Sequence, residues 1–205
     1  NQVNYPILAA NVLNKEGQPA FGPAYKIIEA QGVKIGIVGF LTQYIPHWEK
    51  PSIIKDLTFQ SILTTAKDIL PDLRQSVDLL IVAYHGGFER DLQTGLPTES
   101  LTGENEAYQL VEEYKDYIDA LVTGHQHREI ADHLFGVPVI QPGYRGAFVG
   151  EIELELDNHK KVVASNARLH KTENCKVSSE VNQLISDVSE EAEDWLDQPM
   201  GEVHG

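Results

Sequence analysis

Long apolar runs alternate with polar, turn-rich segments along the chain. The run Val33–Leu41 is nearly unbroken after Lys34, which predicts a strand buried on both faces. Val77–Tyr84 is a second run of this kind and is the clearest buried strand. The Ile- and Val-rich segment Ala24–Ala30 is separated from the first run only by Gln31-Gly32. This spacing predicts a tight hairpin.

Two segments in the first two thirds of the chain have helical spacing. Apolar residues recur on one side of Ser61–Ser76, where Pro71 is expected to kink or divide the helix. Glu104–Tyr117 is the second helix, with Thr102 as its expected cap and acidic residues in its first turn. Because the strand Ile118–Thr123 follows, the order predicts a parallel βαβ core.

The remaining segments are assigned in the same way. Phe88–Gly103 is predicted to be a polar loop, long enough to be a candidate functional loop. Thr42–Phe59 is predicted to be irregular, and Val177–Leu196 to be an acidic amphipathic helix. Further strands are expected at Tyr5–Val12, Val137–Gln141, Phe148–Leu156 and Val162–Leu169, the last two joined by a turn at Asp157–Lys161.

Composition and charge limit the classes of partner. The 205 residues carry a formal net charge of −15, so bulk electrostatics oppose binding to nucleic acid or to anionic membranes. A small phosphorylated substrate needs local positive charge, which metal cations can supply. No apolar run approaches the ~20 residues of a membrane span. Cys175 is the only cysteine, which excludes an intrachain disulfide and a cysteine-based zinc site.

Histidines follow two of the predicted buried strands. His85 follows Val77–Tyr84, and the motif containing His125 and His127 follows Ile118–Thr123. The carboxyl ends of parallel strands gather at one edge of a sheet, where ligands bind, and imidazole suits Zn, Mn, Fe, Co or Ni. The alternative for each is a hydrogen-bonded loop histidine. Solvated or structural roles are expected for the other five, which are His47, His133, His159, His170 and His204.

Several short motifs occur in an order that identifies a family by resemblance. They are Ile7–Val12, Tyr84-His85-Gly86-Gly87, Gly103-Glu104-Asn105, Gly124-His125-Gln126-His127 and Gln141-Pro142-Gly143-Tyr144-Arg145-Gly146. Together they resemble the calcineurin-like metallophosphoesterases, in the bacterial 5′-nucleotidase and 2′,3′-cyclic-nucleotide phosphodiesterase branch. The resemblance covers about Asn4 to Arg168. It implies an α/β fold (α+β by strict class), a partial sandwich of mixed sheets flanked by helices that lacks its N-terminal strands.

The resemblance also implies roles for individual residues. Two divalent metal ions (Mn, Zn, Fe, Co or Ni) would be bound, one by His85 and His125 and the other by His127. Asn105 would support the site, with a role at the helix start as the alternative. Other residues near the site, for which a solvated loop is the alternative, would be Gln141, Gly143, Tyr144 and Arg145, with Glu89, Arg90 and Asp91 shaping its mouth.

Three metal-binding motifs of the family do not occur in their expected place. These are Asp-x-His, Gly-Asp and Gly-Asn-His, which lie before the Tyr5–Val12 segment in family members. Asp157-Asn158-His159 matches the first literally but falls in a late turn, so it is rejected. No catalytic residue is therefore assigned in this chain, and weak metal binding and little hydrolysis are expected. An exposed sheet edge with apolar surface would favour self-association.

These absences predict that Asn1 is an interior position of a longer protein. Residues 1–175 would be the C-terminal portion of the metallophosphoesterase domain, and 176–205 a linking helix with the start of a C-terminal nucleotidase domain. The parent protein would hydrolyse nucleotide phosphate esters; 5′-nucleotides, 2′,3′-cyclic nucleotides and UDP-sugars stay open, as does the compartment. The alternatives are a non-catalytic binding or structural module and a mononuclear metal protein using the three histidines.

Overall fold

A computed structural model describes residues 4–201, so His204 lies outside the described residues. The chain divides into two compact units after Thr172. The strands of the first unit are β1 Val12–Leu13, β2 Tyr25–Ala30, β3 Val33–Leu41, β4 Thr58–Phe59, β5 Leu79–His85, β6 Ala120–Thr123, β7 Glu129–Leu134, β8 Val137–Pro142, β9 Phe148–Leu156 and β10 Val162–Lys171. Its helices are α1 Pro51–Ile54, α2 Ile62–Ser76 and α3 Ala107–Tyr114, with a 3-10 turn at Ile45–His47.

A six-stranded mixed sheet is the centre of the first unit. Its strand order is β2-β3-β5-β6-β8-β7. The four inner strands are parallel, and β2 and β7 pair antiparallel at the two edges. This arrangement confirms the predicted α/β class with a mixed sheet, and the β5–α3–β6 segment is the expected parallel βαβ unit.

The two faces of the sheet differ in burial. On the face that carries α2 and α3, side chains such as Val38, Val82 and Leu121 are fully buried. On the opposite face, Val122 is 39% exposed and Ile28 is 41% exposed. The prediction that β3 is buried on both faces is therefore wrong, because Ile35 and Ile37 on this open face are only half-buried.

Several predicted elements differ from the structure. Of the predicted strand Tyr5–Val12, only Val12 lies in a strand, although residues 9–12 are buried. The Ala10 N–H donates to the Gly39 carbonyl instead of forming a ladder.

Pro71 does not divide α2, which runs continuously. The strand β7 was not predicted, because its sequence does not alternate apolar and polar residues. The predicted irregular stretch 42–59 contains α1, β4 and the 3-10 turn.

The α3 helix is shorter than predicted and its N-terminus is satisfied differently. It begins after Glu106, and neither Thr102 nor Glu106 caps it with its side chain. Instead the buried carboxylate of Glu89 accepts the backbone N–H groups of Tyr108 (3.0 Å) and Gln109 (2.9 Å). Glu89 is 4% exposed. It was expected at the mouth of the site or in a solvated loop, and it is a helix cap contributed by a distant loop.

The hairpin of β9 and β10 forms a separate two-stranded antiparallel sheet, as predicted. Its turn is stabilised by Asp157, whose Oδ1 accepts the backbone N–H groups of His159 (2.8 Å) and Lys161 (2.9 Å). The Asp157-Asn158-His159 sequence therefore serves the turn. An apolar cavity of about 190 Å³ lies between this hairpin and the open face of the sheet.

The second unit contains α4, Ser179–Leu196. The Ser178 hydroxyl caps it by accepting the Val181 N–H at 3.3 Å. None of its side chains is buried, and its exposed apolar residues recur at helical spacing: Val181, Leu184, Ile185, Val188 and Trp195. This matches the predicted amphipathic helix. Within residues 4–201, no helix is both long enough and apolar enough to cross a membrane.

Candidate metal-binding site

The parallel pairing of β5 and β6 brings two of the predicted histidines together. His85 is the last residue of β5, and His125 lies just beyond the end of the neighbouring parallel strand β6. Their ring centroids are 5.5 Å apart in a T-shaped arrangement. Partial burial, followed by the proximity of His125 and His127, lowers the pKa of His85 below its ordinary value. A lowered pKa keeps this imidazole neutral, the form that binds metal.

The backbone at His125 and His127 is strained. Their φ angles are 68° and 59°, in the left-handed region that residues with a Cβ rarely adopt. Each such residue costs of order 1 kcal/mol and persists only when its surroundings hold it in place. Strain of this kind concentrates at functional sites, and here it falls on two of the three predicted ligands.

The geometry of His85 and His125 fits one divalent ion. Two imidazoles that bind one ion at about 2.1 Å with a near-tetrahedral angle have ring centroids roughly 5 Å apart. The observed 5.5 Å is close to that spacing. Within residues 4–201, however, no group of three or more His, Cys, Asp or Glu side chains converges on a metal position. His85 and His125 are therefore a pair without a third ligating side chain among the described residues, and His127 does not join them.

A carboxylate that was not predicted as a site residue contacts His125. Glu104 Oε1 lies 2.9 Å from His125 Nε2, which leaves Nδ1 of that ring for a ligand. Ligand histidines commonly hold a carboxylate at their second nitrogen, which fixes the tautomer and the ring orientation. Glu104 was placed at a helix start, where its acidic character was sufficient explanation. Its position in the Gly103-Glu104-Asn105 motif was the available signal.

Tyr144 and Arg145 lie beside His127 rather than beside His85. The Tyr144 ring stacks on His127 with centroids 5.2 Å apart and an interplanar angle of 14°. The central carbon of the Arg145 guanidinium lies over the Tyr144 ring, 5.4 Å from its centroid. Both side chains are exposed, and Gly143 and Arg145 have positive φ angles of 69° and 55°. This loop presents an aromatic ring and a cation at the site.

Gln141 and Asn105 are buried and brace the loops from inside. Gln141 Oε1 accepts the Arg128 N–H at 2.7 Å, and Gln141 Nε2 donates to Thr123 Oγ1 at 3.1 Å. Asn105 Oδ1 accepts the Gly87 N–H at 2.6 Å. Both were predicted near the site; Gln141 is fully buried, whereas Asn105 is buried but reaches the lining of the cleft beside His125.

An aromatic cluster beside His125 was missed by sequence reasoning. Trp48 lies 5.2 Å from the His125 ring, and Tyr44 stacks on His47 at 3.8 Å. The segment is held by Gln43, whose Nε2 donates to Glu106 Oε2 at 3.1 Å. His47 was expected to be solvated or structural, and its ring stacking is structural.

Polar residues surround the open side of the site. A cleft of about 560 Å³ adjoins His125. Its lining residues are Thr98, Glu99, Glu104, Asn105, His125, Gln126 and Arg128. The cleft contains carboxylates and one arginine, so an anionic ligand would meet local positive charge only at Arg128 or at a bound cation.

Known proteins share both the sequence and the fold of this chain. No family model matches the sequence. A Salmonella typhimurium 2′,3′-cyclic-nucleotide 2′-phosphodiesterase/3′-nucleotidase is 30% identical over an alignment of 169 residues. The alignment covers 75% of this chain and 23% of the relative. A Staphylococcus aureus structure assigned as a 5′-nucleotidase is 38% identical in sequence and superposes with a TM-score of 0.86. The match covers 95% of this chain and 38% of the S. aureus chain.

A second structural comparison supports the fold. The calcineurin-like phosphoesterase YfkN from Bacillus subtilis has a TM-score of 0.79 at 24% identity and covers 96% of this chain and 65% of its own. The chain thus spans less than a quarter of the Salmonella relative and about two fifths of the S. aureus structure. Calcineurin-like phosphoesterases generally use divalent metal ions. The chain belongs to the calcineurin-like phosphoesterases, in the branch of the 5′-nucleotidases and 2′,3′-cyclic-nucleotide phosphodiesterases.

Proposed function

We propose that this chain is part of a longer protein that hydrolyses nucleotide phosphate esters at a dinuclear metal centre. The observation that carries the proposal is the pairing of His85 and His125 at the ends of adjacent parallel strands, at the spacing of two ligands of one ion. His127 would bind the second ion. Divalent ions at such a centre polarise the phosphoryl group and activate water.

The chain's own residues have distinct parts in this proposal. Glu104 orients His125 through its hydrogen bond of 2.9 Å. Tyr144 and Arg145 contact the substrate, Arg145 by pairing with a phosphate oxygen. The carboxylate ligands that a bridged metal pair needs would come from outside this chain, as would the C-terminal nucleotidase domain that follows 176–205.

The reading frame upstream of Asn1 is the first test. The proposal expects it to encode Asp-x-His, Gly-Asp and Gly-Asn-His in that order. The complete protein, loaded with Mn²⁺, should then hydrolyse 5′-AMP or 2′,3′-cyclic AMP. His125→Ala should lower kcat/KM by at least ~100-fold, because losing a metal ligand should cost at least as much activity as losing a residue that only orients one. A natural start near Asn1 would instead favour the non-catalytic module.

A mononuclear metal protein is the second candidate, and the fit of two imidazoles to one ion favours it. Metal analysis of the purified 205-residue chain distinguishes the two. One tightly held equivalent of metal per chain, lost in both His85→Ala and His125→Ala, would support the mononuclear protein. Less than one equivalent, still above the level in the two variants, supports the proposal that the ligand set is completed by a longer protein.

A further inference from the structure

The loop that carries His125 and His127 is tied to the loop that carries His85 by one side chain. Gln126 Oε1 accepts the Phe88 N–H at 2.9 Å, and Gln126 Nε2 donates to the Phe88 carbonyl at 3.0 Å. The side-chain amide thus pairs with both backbone groups of one residue, as a neighbouring strand would. Phe88 is fully buried, so its backbone is a fixed anchor.

A carboxylate connects this amide to a second one. Glu99 Oε2 accepts from Gln126 Nε2 at 2.9 Å, and Glu99 Oε1 accepts from Asn105 Nδ2 at 2.8 Å. Asn105 in turn accepts the Gly87 N–H at 2.6 Å. The three side chains therefore form a continuous bridge, and both of its ends hold the backbone just after His85.

Two further observations show that the bridge acts on the site. A Cβ at Gly87 would lie 2.0 Å from Gln126 Oε1. The Gln126 amide can therefore lie against the loop after His85 only because residue 87 is a glycine. Gln126 also stands between His125 and His127, both with positive φ angles. A strained conformation on each side of one residue needs an outside constraint, and the three hydrogen bonds of Gln126 supply it.

We propose that Glu99, Asn105 and Gln126 are positioning residues that set the distance and orientation between His85 and His125. The proposal rests on the proposed function, since this spacing matters to activity only if the two imidazoles share an ion. Glu99 is the central residue, because it joins two amides that do not bond to each other. It lies on the 88–103 loop, which gives that loop a role in assembling the site.

The test exchanges the two partners of one hydrogen bond. Gln126→Glu places a carboxylate against Glu99, and Glu99→Gln removes one of two acceptors, so each single variant should separate the loops. The double variant Glu99→Gln/Gln126→Glu restores a donor and acceptor pair between these two positions and keeps an acceptor for the Phe88 N–H, but it leaves the Phe88 carbonyl without its donor from residue 126. Gln109→Ala is the matched control, because the Gln109 side chain bonds Glu113 on the exposed side of α3.

The first readout needs no metal. The nuclear Overhauser contact between the imidazole protons of His85 and His125 reports the ring pairing directly. We expect it to weaken at least severalfold in both single variants, to return in part in the double variant, and to be unchanged in Gln109→Ala. Retention of the contact in both single variants, with the fold intact by circular dichroism, would overturn the proposal.

The second readout uses Mn²⁺ as the probe. The Mn²⁺ concentration that broadens both imidazole signals should rise about tenfold in each single variant, as for other residues that orient ligands, and should fall back part of the way in the double variant. A lowered Tm without either change would assign these residues a purely structural role and overturn the proposal. No broadening in the unmodified chain would contradict the proposed function, while the ring contact still decides the positioning proposal.

Discussion

At the scale of single residues, the site depends on side chains that hold other groups in place. His125 and His127 adopt left-handed backbone conformations. Gln126 and Glu104 supply the contacts that fix them. The motif indicated imidazole chemistry, but Glu104 lies 21 positions from His125, and Glu99 lies 27 positions from Gln126. The spacing of apolar residues carries no signal for such distant contacts.

Glu106 gives the folded protein a pH dependence that can be measured. Burial, followed by the negative charges of Glu89 and Glu113, raises the Glu106 pKa from 4.5 to about 7. The folded state then binds the proton more tightly than the unfolded state. The stability from this group is fully present below pH 4.5 and is lost as the pH rises through about 7.

Glu106→Gln should remove this loss. Between pH 5 and pH 8 the free energy of unfolding of the unmodified chain should fall by roughly 1 kcal/mol more than that of the variant, a value reduced from the full shift because the side chain is partly exposed. Urea unfolding at both pH values measures the difference. Equal changes for the two proteins would show that the Glu106 carboxyl is ionised in the folded state.

Glu89 is expected to stabilise α3. Glu89→Gln leaves only one acceptor oxygen for the backbone N–H groups of Tyr108 and Gln109. One buried donor then loses its partner, which should cost about 1–2 kcal/mol and lower the Tm by roughly 2–8 °C. Calorimetry checks the value, with the exposed Glu112→Gln as control. An unchanged Tm would mean that one acceptor is sufficient.

At the scale of elements, α2 tolerates a proline that its sequence pattern predicted would interrupt it. Pro71 lies well inside the continuous helix. It lacks an N–H for the helical ladder, yet the apolar face with Leu70 and Leu73 is buried, and this burial exceeds the cost of the proline. Tertiary packing therefore decided the length of this element.

Pro71→Ala should stabilise the chain. It restores a helical N–H and relieves the steric conflict with the preceding turn, while the unfolded chain gains some freedom. The net gain expected is about 1–2 kcal/mol, measurable by urea unfolding, against Lys67→Ala on the exposed side of α2 as control. A loss of stability would indicate that the helix geometry is adapted to the proline ring.

At the scale of the whole first unit, the sheet is covered by α2 and α3 on one face and only partly, by the β9–β10 hairpin, on the other. Inner parallel strands are ordinarily covered on both faces. Here Val122 on β6 is 39% exposed, and the edge strand β2 is exposed throughout. The open face is thus apolar surface that the described residues leave in contact with water.

The chain should therefore self-associate as its concentration rises. Val122→Lys places a charge at the centre of the open face and should shift the chain toward monomer. Val163→Lys, at a residue of β10 that is 63% exposed, is the control. Sedimentation velocity over a series of concentrations distinguishes them. A monomer at all concentrations would contradict the prediction.

The isolated chain should also hydrolyse bis-p-nitrophenyl phosphate with Mn²⁺ no faster than buffer. Two paired imidazoles without a bridging carboxylate do not hold a dinuclear centre. Measurable turnover that His85→Ala removes would show that the described residues suffice for catalysis.

The hydrophobic pattern predicted most elements of the first unit, because β3, β5, β6 and the β9–β10 hairpin have strong local signals. It failed where a nonlocal contact was decisive. Residues 9–11 are buried without forming the predicted strand, and the N-terminus of α3 is capped by Glu89 from another loop. Neither outcome follows from the spacing of apolar residues.

The sequence by itself determined most of the strands, the family and the identity of the histidines, because apolar periodicity and short motifs are local properties. Only the tertiary structure decided which residues meet. The parallel pairing of β5 and β6 brings His85 and His125 together, and leaves His127 with Tyr144. It also revealed the bridge through Glu99, because hydrogen bonds between distant loops depend on how the chain folds back on itself.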